Sequence, residues 1–284
     1  MNILKKFVYR FFTLIIPFFL LIFNSSCSFK YYSPDDAKMM TLRDQHDAQL
    51  SVSSGLFNQV IDVQGAYSPI KHLRVSGSYF YRTANGGSGF DVNEVLRLNG
   101  HGRLWTGEIG GYYFHDFNSA SDDKEGKSKR ESHGLLFDGQ LGLGKAKVFT
   151  NYSTGGNSIT SFTKNFQQIG MNYIDEYFEF GFALRFGQLH YDKVDVFGLV
   201  NSQIKQSVES LNEINRFDIL ESTVRFSICL FDMKFYGHFT ILQDHQDLGR
   251  LGTYTNNFGG GFLMEIDKLF TKKKKKKPKE DIKF

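Results

Sequence analysis

The feature that most constrains this chain is a two-residue alternation of apolar and polar side chains that recurs many times after residue 48. Successive side chains of a strand point to opposite faces, so this period makes one apolar face and one polar face. Tyr177–Gln188 shows it most cleanly. Phe178, Phe180, Phe182, Leu184 and Phe186 share one face, while Glu179, Gly181, Ala183, Arg185 and Gly187 share the other. Leu73, Val75, Gly77, Tyr79 and Tyr81 likewise oppose Arg74, Ser76, Ser78, Phe80 and Arg82. Comparable runs cover Ile61–Tyr67, Leu220–Leu230 and Met233–Ile241, and weaker ones cover 105–116, 134–144, 166–174 and 258–266. With a first strand over 48–56, this predicts about ten strands, several of the length that crosses a membrane at a tilt.

Closing such strands into a barrel removes their unpaired edges. Which face points inward depends on the surroundings. A soluble barrel hides its apolar face, and a membrane barrel turns it to lipid. The connections favour the membrane form. Those at 68–72, 175–176 and 231–232 are short, whereas 83–103, 145–160, 192–216 and 243–255 are expected to be long polar loops. Two segments break the rule: 57–59 is short and 117–132 is long. Composition agrees with regular strands, since 30 Phe, 14 Tyr and 28 Gly stand beside only 4 Pro. The net charge of +4 includes the six-lysine run Lys272–Lys277, so it offers no argument for nucleic-acid binding.

Residues 1–26 read as a signal peptide, with Lys5, Lys6 and Arg10 ahead of an apolar run from Phe11 to Phe23. Ser25 and Ser26 precede Cys27 as small residues precede the acylated cysteine of a bacterial lipoprotein. Asn24 stands where an aliphatic residue is usual. The alternative is an ordinary signal peptide with an incidental cysteine. The expected organisation is a signal peptide (1–26), a lipidated Cys27 with a polar tether (27–47), a β-barrel (48–270) and a basic periplasmic tail (271–284).

Val63-Gln64-Gly65-Ala66-Tyr67-Ser68-Pro69-Ile70-Lys71-His72-Leu73 resembles a hairpin of small outer-membrane barrel proteins, often described as lipoproteins, from Bacteroidota-type bacteria. Tyr177-Phe178-Glu179 resembles a strand start in the same group. The resemblance implies an antiparallel up-and-down transmembrane-type β-barrel and brings no catalytic residue with it.

The polar faces place Arg74, Arg82, Glu108, Asp138, Glu179, Arg185, Glu221, Arg225 and Lys234 in the lumen. There they either pair and plug a narrow barrel or line a charge-selective path. His101, His190 and His245, with Asp192, Asp244 and Asp247 nearby, fall toward the outer rim. A histidine beside a carboxylate there could act as a general base on water, so His190, His245, Asp192 and Asp244 are the weak catalytic candidates. Asn85-Gly86-Gly87-Ser88-Gly89 lacks the Lys and helix of a phosphate-binding loop, and no zinc-ligand spacing or serine nucleophile elbow occurs. No cofactor or metal is expected.

The chain therefore reads as a non-enzymatic, lipid-anchored outer-membrane barrel of a Gram-negative bacterium. Its partners would be membrane lipid and an envelope or host surface, met through long outer loops. A narrow solute pore and a rim hydrolase are the rivals.

Overall fold

β-Branched and aromatic residues in alternation form ten strands, joined in sequence order into one antiparallel sheet. These are β1 (Ala48–Gly55), β2 (Gln59–Tyr67), β3 (Leu73–Ala84), β4 (Leu98–Asp116), β5 (Gly134–Tyr152), β6 (Asn157–Ile174), β7 (Phe178–Phe197), β8 (Arg216–Leu230), β9 (Met233–Asp244) and β10 (Asn256–Glu265). β1 pairs with both β2 and β10, which closes the barrel and leaves no edge. The structure, a computed structural model, describes residues 35, 37, 39–55, 59–84, 98–117, 133–152, 155–214, 216–230, 233–244 and 256–266.

Both ends of the barrel chain lie on one rim, because Gln49 at the start of β1 pairs with Glu265 at the end of β10. We call it the terminal rim and the opposite one the far rim. On the terminal rim the 68–72 turn places His72 at φ 68°, and Leu73 N–H donates to the Ile70 carbonyl at 3.1 Å. The 175–177 turn is held by Asp175, whose Oδ1 accepts from Tyr177 N–H at 3.1 Å.

Four segments differ from the sequence expectation. Residues 145–160 are not a long loop: β5 runs to Tyr152, β6 starts at Asn157, and Gly155 and Gly156 turn between them at φ 92° and 88°. Those angles suit glycine. Residues 192–216 are not patternless either, since β7 continues to Phe197 and a helix, α1 (Ser202–Ile214), follows. The 83–103 segment gives up its last residues to β4, which begins at Leu98. The fourth difference lies in the tether. Asp35, Ala37, Met39, Met40, Thr41 and Leu42 are all buried, so this part of 27–47 is packed inside the barrel instead of trailing from it.

The outer surface carries a continuous apolar belt. Every strand from β2 to β10 contributes at least one exposed large apolar side chain, including Ile61, Val75, Ile109, Leu141, Ile169, Phe182, Phe226, Phe235 and Phe262. The inward positions between them carry charged side chains, among them Arg74, Glu108, Asp138, Glu179, Arg185 and Glu221.

Candidate functional site

The interior is stacked in tiers. Nearest the terminal rim, Met40, Leu42, Ala66, Tyr112, Leu136, Ile174, Tyr236 and Leu263 pack together. At the far end Phe80, Leu104, Val148, Phe162, Leu189, Tyr191, Phe217 and Ile219 enclose Val208 and Leu211 of α1, so the helix caps the barrel with an apolar core. Between these tiers lies a charged layer.

The N-terminal segment runs through that layer. At the terminal rim, Asp47 Oδ2 accepts from the backbone N–H groups of Arg43 and Asp44, at 3.0 and 2.9 Å. His46, at φ 66°, donates its N–H to the Ser68 carbonyl. This turn reverses the chain, so the residues before β1 rise into the lumen. Thr41 accepts from Lys234 Nζ at 2.8 Å, and its N–H donates to Gln49 Oε1 at 2.9 Å. The Met40 carbonyl accepts from Arg74 Nη1 at 3.0 Å. Met39 lies against Gly181 and clusters with Ala37 and Ala183. Deepest of all, Asp35 meets Lys164 at 2.6 Å and Arg185 at 3.1 Å.

Asp35 completes a four-charge cluster. Glu221 Oε2 also contacts Lys164 at 2.9 Å and Arg185 at 3.3 Å, and Gln168 Oε1 accepts from Arg185 Nε and Nη2. The ring of Phe166 lies 4.6 Å from the Arg185 guanidinium, and Phe166 itself fits because Gly142 leaves room for it. Taking such charges out of water costs several kcal/mol per ion unless partners surround them. Here two cations share two carboxylates, and one of these comes from the inserted segment.

All nine residues assigned to the lumen from sequence are buried on inward positions: Arg74, Arg82, Glu108, Asp138, Glu179, Arg185, Glu221, Arg225 and Lys234. Arg74 pairs with Asp138 at 3.0 Å, and Lys234 pairs with Glu179 and, at 3.4 Å, with Glu265. Among the described residues the interior cations are Arg74, Arg82, Lys164, Arg185, Arg225 and Lys234. The buried carboxylates are Asp35, Asp62, Glu108, Asp138, Glu179 and Glu221, with Asp47 in the terminal-rim turn. Sequence reasoning missed Lys164 and Asp35. Lys164 sits between inward-facing Phe162 and Phe166, so parity alone placed it among apolar residues. Asp35 carried no pattern, being one polar residue in a polar stretch.

Toward the far end of β4–β8 the two faces exchange character. Arg103, Lys145, Lys147, His190 and Arg216 point outward, and the residues between them point into the apolar cap. A bulge in β7 adds to this. Phe162 pairs with Tyr191 but Ser161 pairs with Lys193, so Asp192 is the extra residue and Asp192 and Lys193 are both exposed. The Tyr191 hydroxyl is buried in the cap, and no described group accepts its proton.

Of the four catalytic candidates, two have described side chains. His190 and Asp192 both lie on the outer wall, and Asp192 accepts from Thr163 Oγ1 at 3.1 Å. His245 and Asp247 lie outside the described residues, as do Cys27 and the 271–284 tail, and of Asp244 only the backbone is described. Among the described residues no three His, Cys, Asp or Glu side chains converge as metal ligands. Neither a protein-family model nor a curated protein matches the chain.

Proposed function

We propose that this chain is a closed, non-conducting outer-membrane barrel, lipid-anchored at Cys27, whose far rim and outer wall form its binding face. The observation that carries the reading is a lumen filled by the protein's own chain beneath an apolar belt that circles nine strands. A belt of this extent in water would far exceed the few hundred Å² that monomeric proteins leave as one apolar patch. Lipid removes that cost. From Phe178 to Phe186 the outward side of β7 is apolar for eight residue steps, about 26 Å along the strand. That is comparable with the apolar band of about 25 Å on outer-membrane barrels, once tilt shortens it somewhat.

The likeness to Bacteroidota-type barrel lipoproteins fits this reading.

Planar-bilayer recording on the purified full-length protein tests the closed barrel, with cell fractionation run beside it. The expected result is outer-membrane recovery and no unitary conductance. Steady single-channel steps from the native protein would favour a pore, and recovery in the soluble periplasmic fraction would remove the membrane reading.

A further inference from the structure

We propose that the outer wall of β4 and β5 holds a phosphorylated membrane lipid, with its headgroup on Arg103, Lys145 and Lys147. The proposal rests on the membrane reading above and adds the ligand. All three side chains are exposed on the outward face, just beyond the last apolar residues of the belt. Arg103 pairs directly with Lys147 in the sheet, and Lys145 lies two residues from Lys147 on the same face. Like charges placed directly opposite each other across strands destabilise a sheet, so an anion between them would relieve a standing repulsion.

Their neighbours supply a contrast. Lys193 has Asp195 at 2.8 Å, and Arg216 has Asp218 at 3.7 Å. No described carboxylate pairs with Arg103, Lys145 or Lys147. Of the exposed cations on this wall, these three have no described counter-charge. Beside them Trp105, 58% exposed, pairs with Lys145 and packs on Tyr79 at 4.2 Å between ring centroids. Aromatic rings of this kind mark the level where acyl chains give way to headgroups.

The apolar half of the ligand has a place as well. A groove of about 820 Å³ runs along the outer face of β5–β8 and reaches Leu143, two residues before Lys145; Leu141, Leu143, Phe186 and Leu220 wall it, with Gln167 between Leu141 and Phe186. Asn165 and Gln188 lie at its polar end, together with Asp218, the one carboxylate that lines it. An amphiphile with acyl chains in this groove and a phosphate beyond Leu143 satisfies both surfaces. A phosphate carried by a soluble molecule would leave the groove empty.

Trp105 is the only tryptophan of the chain, which makes its fluorescence a local reporter. The full-length protein is reconstituted into vesicles containing acyl-brominated phosphatidic acid or, at equal mole fraction, acyl-brominated phosphatidylcholine. The expected result is quenching by both, with the phosphatidic acid enriched about fivefold or more at the tryptophan. Arg103→Gln/Lys145→Gln/Lys147→Gln should abolish the enrichment and leave the phosphatidylcholine signal unchanged. All three positions are exposed, so the triple variant should fold, and circular dichroism verifies that it does. Equal quenching by both lipids in the native protein overturns the lipid site while the membrane reading survives. Absence of quenching by either overturns both.

Discussion

β7 holds two environments in one strand. Below Gln188 its outward residues are Phe178, Phe180, Phe182, Leu184 and Phe186, and its inward residues include Glu179 and Arg185. Above Gln188 the inward residues are Leu189, Tyr191 and Val194, while His190, Asp192 and Lys193 face out. The backbone barely changes, apart from one bulge, yet the apolar face moves to the other side. What changes is what each face meets. In the lower half the interior is a charged layer crossed by the inserted segment, whose Met40 and Leu42 join a smaller apolar tier at the terminal rim. In the upper half it is a core completed by α1. An inward apolar side chain needs an apolar partner, and at the far end Val208 and Leu211 provide one.

Breaking the charged layer should have the largest effect. Arg185→Ala leaves Glu221 and Asp35 with one cation between them, and the loss of one partner from a buried ion cluster costs about 3–5 kcal/mol. Heat-modifiability on gels should show a lower transition, and protease sites before residue 48 should become accessible as the segment loses its hold. The cap should respond next. Leu211→Ala removes a fully buried side chain and should cost about 2–4 kcal/mol, seen as loss of hydrogen-exchange protection in α1 with the lower barrel unaffected. A charge on the belt tests the same comparison from outside. Phe182→Arg should impair assembly into lipid by about 2–4 kcal/mol, whereas Thr163→Arg, beyond the belt on the neighbouring strand, should assemble normally. Equal tolerance of the two would erase the boundary between the halves. The smallest effect has the opposite sign. Tyr191→Phe removes a buried hydroxyl with no described partner, and should be neutral or stabilising by about 1 kcal/mol.

The two halves were not equally legible in the sequence. Lower-barrel strands keep one parity throughout, so Phe178–Phe186 against Glu179 and Arg185 announces both the strand and its faces. The upper halves of β5 and β7 reverse that parity, and a search for one continuous apolar face ends where the reversal begins. Lys145 and Lys147 therefore read as loop residues, and the alternation in β7 is legible only as far as Gln188. α1 did leave a signal: Ile204, Val208 and Leu211 recur at helical spacing, but it is short and lies in a polar stretch. The inserted segment left none. Its residues are held by partners far along the chain, such as Lys164 and Lys234, and nothing local to Asp35 or Thr41 reveals that pairing.

The division of β7 is best tested by spin labels placed one at a time at 178, 180, 182, 186, 188, 190 and 192 in a Cys229→Ser background, in reconstituted vesicles. Collision rates with oxygen and with a water-soluble nickel chelate report lipid and water separately. Oxygen should dominate from 178 to 186, and the chelate should take over between 186 and 190. Chelate access at every position would contradict a lipid-facing lower barrel, and oxygen dominance up to 192 would contradict a water-facing far wall.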